Sequence, residues 1–235
     1  MSEDRQSRIR DALSDSDVFG ALTDEELDRL IGYGNTVPYP RGRIIFQRGD
    51  PGDSLMVVLS GRVKISNMSL DGREAVLNFV EPGRTFGEIA IFDGKTRSAD
   101  ATTMEPTELF VLRRTDMIEF IERHPEVTFR VIGMLCERLR RTTEMMEESV
   151  LLHMAPRVAK GLLRLASQYG RRQGSRIRIE LKLSQRELGG YVGLARENIN
   201  RQLGIWRGER LISMQDGYIT IEDPDRLRHI AEETS

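Results

Sequence analysis

Short alternations of apolar and polar residues run from Val37 to Leu112 and predict a series of β-strands. RIIFQ, SLMVVLSGRVKIS and EAVLNFVEPG are such segments. The turn residues that separate them are Gly42, Gly49–Asp50, Pro51–Gly52, Gly61, Asp71–Gly72 and Pro82–Gly83. Short strands broken this regularly are typical of an antiparallel sandwich or barrel. We therefore predict an N-terminal jelly-roll β-sandwich.

The residues before the strands, Asp15 to Gly34, have the pattern of short helices. In TDEELDRL, Thr23 stands at an N-cap position and Glu26 follows three residues later. This spacing predicts a capping box, in which each residue's side chain accepts a hydrogen bond from the other's backbone N–H.

After about Thr115 the apolar period becomes helical. Residues at spacings of 4, 3, 4, 3 and 4 form an a/d seam on one long helix: Ile132, Cys136, Leu139, Thr143, Met146 and Val150. Because charged residues flank the seam, we predict a dimerisation helix over residues 128–152. Packing of the seam against the chain's own sandwich is the alternative. HMAP then breaks the pattern, which predicts a hinge at His153 to Ala155, and Pro156 suits the first turn of the next helix.

The C-terminal third has the pattern of a winged helix-turn-helix. Ser184 and Glu187 predict a second capping box, Gly189 stands where the two helices touch, and Gly193 suits the turn. The second helix is predicted to begin near Ala195. The apolar positions that form a shared core are Leu188, Val192, Leu194, Ile199 and Leu203. A hairpin turn at Asp216–Gly217 predicts a wing.

Composition narrows the class of protein. A chain of 235 residues with 39% hydrophobic and 31% charged residues is typical of one or two globular domains. We see neither a secretory signal nor an apolar run long enough for a membrane span, and we expect a cytoplasmic protein. The single Cys136 excludes an intrachain disulfide and an all-cysteine metal cluster. His124, His153 and His229 lack metal-ligand spacing, so we expect no metal.

Charge is distributed unevenly along the chain. From Pro156 to Arg210, thirteen Lys/Arg and four Asp/Glu give a net charge of +9. The whole chain has a net charge of −2, so the remaining residues together have a net charge of −11. A basic segment around a helix-turn-helix predicts binding to double-stranded DNA. An ordinary helix pair with solvated charges is the alternative.

The second helix exposes side chains that suit base recognition. Arg196 and Arg201 can each donate two hydrogen bonds to guanine, and Glu197 can accept one from cytosine. The candidate DNA-contacting residues are Ser184, Gln185, Arg196, Glu197, Asn200 and Arg201.

FGEIAIFDGKTRSA, residues 86–99, contains a Gly-Lys-Thr triplet that invites comparison with a P-loop. A P-loop needs a glycine at position 89, which is Ile89, and Gly87 comes two positions too early. We therefore interpret the stretch as a different kind of phosphate site. Gly87 allows close backbone approach, a helical turn from Glu88 to Phe92 offers free N–H groups, and Arg97 can grip a phosphate with two N–H groups. Ser98 adds a hydroxyl, and the carboxylate of Glu88 can accept a hydrogen bond from a sugar hydroxyl.

The same stretch resembles the phosphate-binding cassette of cyclic-nucleotide-binding domains. With the long helix and the winged helix-turn-helix, the chain from about Phe19 to Ile221 resembles the CRP/FNR family of bacterial transcription regulators. The resemblance implies that Gly87, Glu88, Arg97 and Ser98 hold the cyclic phosphate and ribose. It also implies that hydroxyls of RLRRTTEM meet the purine. The candidate ligand residues are Phe86, Gly87, Glu88, Ile89, Ala90, Arg97, Ser98, Arg138, Thr142 and Thr143.

The resemblance implies an α+β fold with three parts. These are a cyclic-nucleotide-binding sensor domain over 15–127, the dimerisation helix over 128–152, and a winged helix-turn-helix DNA-binding domain over 156–235. It further implies a homodimer that responds to cAMP, with RNA polymerase as a partner. The chain lacks the several cysteines of the iron–sulfur branch of the family, and His124 and His153 are poorly placed as haem ligands, so we expect neither cofactor. ARENINR resembles a recognition helix that reads palindromic TGTGA-type sites.

Two residues depart from the family pattern: His153 replaces a hinge aspartate, and Gln202 occupies a position that is usually apolar. Three alternatives stay open. One is a regulator that responds to cGMP, and a second is a DNA-binding protein that needs no ligand. The third is an enzyme, for which the sequence offers no nucleophile–base pair.

Overall fold

The computed structural model describes residues 3–233. Contacts within the chain divide it into two compact units, and the division falls inside one long helix. Among the described residues, the first unit comprises 3–67 and 77–140, and the second comprises 68–76 and 141–233. Within residues 3–233, no helix is both long and apolar enough to cross a membrane. The predicted boundaries at residues 127, 152 and 156 stay predictions.

The sandwich predicted for the N-terminal region is confirmed as two four-stranded antiparallel sheets, with strand orders β1-β8-β3-β6 and β2-β7-β4-β5. The strands are β1 Asn35–Tyr39, β2 Ile44–Phe46, β3 Ser54–Ser60, β4 Val63–Met68, β5 Glu74–Val80, β6 Thr85–Phe86, β7 Asp100–Thr103 and β8 Thr107–Arg113. Apolar side chains of both sheets, among them Val58, Val63 and Leu109, meet in a buried core. The positions with apolar side chains therefore fix which strand face turns inward.

Helices cover one side of this sandwich core. They are α1 Glu3–Ser14, α2 Asp24–Tyr33, α3 Glu88–Asp93, α4 Arg114–Arg123 and α5 Pro125–Leu151. Leu13, Leu27, Phe120 and Val131 of four of these helices join Leu55 of β3 in a second buried cluster. The sequence did not predict α1.

The capping box at the start of α2 is confirmed, since the N–H of Thr23 donates to Oε2 of Glu26 at 2.8 Å and the reciprocal bond is present. The remainder of the segment predicted as helical, residues 15–22, forms turns. The predicted hinge is shorter than expected because α6 already begins at Met154, which places Ala155 inside a helix.

The second unit contains α6 Met154–Tyr169, α7 Gln185–Val192, α8 Arg196–Gly208 and α9 Pro224–Glu232. Its sheet has the order β11-β12-β10-β9 and consists of β9 Gly170–Gln173, β10 Arg176–Ile179, β11 Ile212–Gln215 and β12 Tyr218–Ile221. Asp216 and Gly217 both have positive φ, at 53° and 82°, and form the predicted turn of the wing. The sequence did not predict β9 or α9.

Candidate ligand pocket and nucleic-acid interface

A cavity in the first unit brings most of the predicted ligand residues together. It measures about 370 Å³ including its open mouth. The predicted residues that line it are Phe86, Gly87, Glu88, Ile89, Ala90, Arg97, Ser98 and Arg138. Thr142 and Thr143, the other two, are exposed on α5 in the second unit.

Three lining residues were not predicted from the sequence: Phe46, Ile65 and Ala99. Phe46 and Ile65 stand on β2 and β4, far from the cassette in sequence. In the sequence they are ordinary apolar strand residues, and nothing in the pattern predicts that they line a pocket. Only the pairing of both strands with β7 brings them to the cassette.

Gly87 gives the backbone a conformation that the pocket needs. Its φ is +81°, in the left-handed region where glycine is favoured, and α3 begins at the next residue. A Cβ at this position would lie 2.7 Å from Nη1 of Arg97. A side chain at position 87 would therefore strain the turn and push the guanidinium away.

Arg97 is held firmly inside the pocket and is only 4% exposed. Nη1 donates to the carbonyl of Gly87 at 2.9 Å, and Nη2 donates to Oγ of Ser54 at 3.1 Å. The ring of Phe46 lies 4.3 Å from the guanidinium carbon. Burial lowers the pKa of Arg97, although nearby carboxylates oppose the shift. Because an arginine stays protonated even so, the pocket contains a fixed positive charge.

Glu88 is the second buried charge of the pocket, with 1% exposure. Its Oε1 forms an ion pair with Arg138, which also donates to the carbonyl of Thr85. Among the residues described by the structure, Oε2 of Glu88 and Nε of Arg97 are buried without a hydrogen-bond partner. Such atoms are costly to bury, so a ligand that supplies both partners would gain free energy. Both atoms belong to residues that line the pocket: Oε2 of Glu88 is an unused acceptor, and Nε of Arg97 is an unused donor.

The helix-turn-helix in the second unit has the predicted local geometry. Ser184 and Glu187 form the capping box of α7, and Gly193 has a φ of +69° in the turn. A Cβ on Gly189 would lie 2.6 Å from the carbonyl oxygen of Leu194, so only glycine fits there. These three features are confirmed as the sequence predicted them.

The candidate DNA-contacting residues lie close together. Arg196, Glu197, Asn200 and Arg201 are exposed on α8, and Gln185 donates from Nε2 to Oδ1 of Asn200 at 3.1 Å. Ser184 is exposed at the start of α7. An exposed helix face with arginine, asparagine and glutamate side chains is chemically suited to the base edges of a major groove.

Arg157 positions the turn of this motif and was missed by sequence reasoning. Its Nη2 donates to the carbonyls of Val192 and Gly193, both at 2.9 Å, and its Nη1 donates to the carbonyl of Ser149 at 3.3 Å. One guanidinium therefore connects the end of α5 to the turn between α7 and α8. In the sequence, Arg157 is a single arginine on an amphipathic helix, and nothing in the pattern predicts these hydrogen bonds.

Two family models of known proteins match the two parts of the chain. Residues 36–124 match the cyclic nucleotide-binding domain family, and residues 156–230 match the Crp-like helix-turn-helix domain family. A CRP-like cAMP-activated global transcriptional regulator of Mycobacterium tuberculosis is 32% identical over 92% of this chain and 96% of its own length.

The chain is also similar to solved structures of transcription regulators. The catabolite activator protein of Thermus thermophilus is 32% identical, with a TM-score of 0.54 over 92% of this chain and 98% of its own. A CRP/FNR-family transcriptional regulator from the same organism is 26% identical, with a TM-score of 0.71 over 86% of this chain and 100% of its own.

Proposed function

The chain belongs to the CRP/FNR family of transcription regulators, and we propose that it is a homodimer that binds palindromic TGTGA-type DNA when cyclic AMP occupies its pocket. The family membership covers both the sensor and the DNA-binding parts. The ligand, the DNA site and the dimer are the parts that we propose.

The observation that carries the ligand proposal is the pair of unpartnered polar atoms in the pocket. A cyclic nucleotide has a phosphodiester with one negative charge and a ribose with a free 2′-hydroxyl. The phosphodiester oxygen would accept from Nε of Arg97, and the hydroxyl would donate to Oε2 of Glu88. One ligand therefore supplies both missing partners.

The choice of cyclic AMP over cyclic GMP rests on similarity. The relative in Mycobacterium tuberculosis is described as cAMP-activated. The hydroxyls of Thr142 and Thr143, which we assign to the purine, can donate or accept and do not choose between the two bases. Cyclic GMP is therefore the competing ligand.

The mechanism that we propose is a shift of population between two arrangements of the dimer. Cyclic AMP stabilises the arrangement that it binds more tightly, and only by its difference in affinity for the two. In that arrangement the two recognition helices would lie about 34 Å apart, which is one turn of DNA. RNA polymerase is the partner that we expect on the bound promoter.

Calorimetric titration of the full-length protein with cyclic AMP and cyclic GMP tests the ligand. We expect heat from cyclic AMP, and about 10- to 100-fold weaker binding in Arg97→Ala and Arg97→Lys, because both lose a charge-assisted contact. Arg97→Lys keeps the charge but lacks the Nε–H, so it separates the directed contact from simple attraction. Arg41→Ala, at an exposed arginine of the same unit, is the matched control and should bind normally.

Two outcomes would contradict the proposal. Normal affinity in folded Arg97→Ala and Arg97→Lys would show that the ligand binds elsewhere. No heat from either nucleotide would favour a family member that binds DNA without a small ligand. Circular dichroism of each variant establishes that it is folded.

A further inference from the structure

Three metal-ligating side chains meet in the first unit, away from the nucleotide pocket. Glu26 belongs to α2, His124 is the C-cap residue that follows α4, and Glu126 lies in the first turn of α5. One ligand atom from each lies within 4.8 Å of the others. We propose that Glu26, His124 and Glu126 form a binding site for a divalent transition metal of the zinc class.

One imidazole nitrogen faces two carboxylates in this cluster. Nδ1 of His124 lies 3.4 Å from Oε1 of Glu26 and 3.2 Å from Oε1 of Glu126. A ring nitrogen has either a single N–H or a single lone pair, so it cannot donate a full hydrogen bond to both oxygens. A cation between the three atoms would be bound by all of them at once.

The two separations that involve the imidazole nitrogen fit tetrahedral coordination, and the two carboxylate oxygens lie within 4.8 Å of each other. With bonds of about 2.0–2.1 Å, a tetrahedral zinc ion holds its ligand atoms about 3.3–3.4 Å apart. The two observed separations, 3.4 and 3.2 Å, are close to that value. Magnesium prefers oxygen ligands in an octahedron, in which neighbouring ligands lie about 2.9 Å apart. The imidazole and the wider spacing therefore favour zinc or cobalt, with water in the fourth position.

Two of the three ligands are already held in place. Oε2 of Glu26 accepts from the N–H and the hydroxyl of Thr23, both at 2.8 Å. These bonds fix the carboxylate with Oε1 towards the imidazole. The ring of His124 stacks on Phe120 with centroids 4.3 Å apart, and its side chain is only 11% exposed. The side chain of Glu126 is half exposed, and it is the one that would have to move to bind the ion.

A bound ion would join α2 to the junction between α4 and α5. These segments lie far apart in sequence, so the ion would act as a cross-link within the sensor unit. Because the ion binds the native arrangement of ligands, it should raise the thermal midpoint of unfolding.

The test uses the full-length protein and, in parallel, its Cys136→Ser variant, in which no thiol competes for metal. After treatment with a chelator, the protein is titrated with Zn²⁺ by calorimetry and with Co²⁺ by visible absorption. We expect one ion per chain, tetrahedral cobalt bands and a higher unfolding midpoint with zinc. His124→Gln and Glu126→Gln should each weaken binding at least about tenfold, a loss that even outer partners of a metal site produce.

Glu122→Gln and His153→Gln are the matched controls. Glu122 is an exposed carboxylate beside the cluster, and His153 is a histidine elsewhere in the chain. Both variants should bind zinc normally. The side chain of Glu126 is half exposed, so Glu126→Gln remains decisive if His124→Gln fails to fold. Zinc binding that is absent, or unchanged in Glu126→Gln, would identify the cluster as an ordinary histidine–carboxylate ion pair and overturn the proposal. Titrations with nucleotide are separate and do not decide this question.

Discussion

Glu88 is a buried carboxylate in a pocket where we expect an anion. The ion pair with Arg138 neutralises its charge, and Arg97 supplies a further positive charge in the same cavity. Glu88 and Arg138 thus cancel each other, which leaves the charge of Arg97 to attract the expected phosphodiester. Asp50 and Asp53 also lie close enough to Arg97 to act on its charge.

Glu197 is the residue of the DNA-binding unit whose role is easiest to isolate. A carboxylate repels phosphates, so its exposure on α8 suggests that it accepts from a base. We expect Glu197→Ala to relax the preference at one base pair by about 1–3 kcal/mol. Competition binding against a set of singly substituted operators measures this.

The control for this experiment is Glu233→Ala, which removes an exposed carboxylate after the last helix of the same unit. It should leave the preference unchanged at every position. If Glu197→Ala changed affinity equally for all operators, Glu197 would act through general electrostatics and not as a base reader.

Asp17 gives a prediction about pH. Its Oδ1 accepts from the N–H and hydroxyl of Thr85, at 3.2 and 2.8 Å. Burial raises the pKa of Asp17, and the hydrogen bonds from Thr85 and the charge of Arg138 oppose this only in part. The native state therefore binds the proton more tightly than the unfolded state, so protonation of Asp17 stabilises the fold.

Asp17→Asn keeps the acceptor and removes the buried charge. We expect the variant to be more stable than the wild type at pH 7. This advantage should shrink as pH falls through the raised pKa towards the ordinary value for aspartate. Thermal unfolding from about pH 4 to pH 8 measures the difference, with Asp15→Asn, an exposed carboxyl of the same turn, as the control for one lost charge. An advantage that grew on acidification would contradict the assigned direction.

At the scale of elements, α7 can contact the turn that precedes α8 because Gly189 has no side chain. Gly189→Ala would place a Cβ 2.6 Å from the carbonyl of Leu194, and backbone cannot yield as a flexible side chain does. We expect a loss of about 1–3 kcal/mol in the free energy of unfolding. Chemical denaturation measures it.

Gly204→Ala is the matched control because a Cβ there meets nothing within 4 Å. Gly204 lies inside α8, where alanine favours the helix, so we expect a gain of about 0.5–1 kcal/mol. Equal effects of the two substitutions would mean that the close contact at Gly189 is not what requires glycine.

At the scale of the whole molecule, α5 leaves apolar side chains uncovered within the single chain. They include Leu139 at 68% exposure and Met146 at 65%. Both belong to the seam that predicts a dimer, and a second copy of the helix is the partner that we propose for it. Leu139→Gln with Met146→Gln should raise the dimer dissociation constant at least about 100-fold, because each side chain contributes about 1.5–3 kcal/mol when buried.

Sedimentation equilibrium measures the assembly state of this double variant. Arg140→Gln with Glu147→Gln is the matched control, since it alters two exposed positions of the same helix beside the seam and keeps the net charge. If the control dissociated as readily as the seam variant, charges on α5 and not the apolar seam would hold the dimer together.

Local patterns in the sequence were sufficient for much of the fold. Both capping boxes, the turn at Gly193, the sandwich strands and the wing hairpin were predicted correctly. Each depends on residues within one or two turns of the chain, whose backbone preferences act at short range. At Gly87 the sequence predicted only close backbone approach, and the structure adds the positive φ. The sequence analysis missed α1, β9 and α9. The weak apolar period of α1 and the absence of apolar residues in β9 account for two of these, whereas α9 does have a helical apolar period.

The sequence by itself also determined the chemistry of the pocket, since Arg97 and Glu88 stand in one short stretch. Only the tertiary structure decided which distant groups meet them: Ser54 and Phe46 at Arg97, and Arg138 at Glu88. It likewise brought His124 between Glu26 and Glu126, where histidine spacing had predicted no metal. The physical reason is that propensities and caps act between neighbours in sequence, whereas a binding site is formed by side chains that only the packing of sheets and helices brings together.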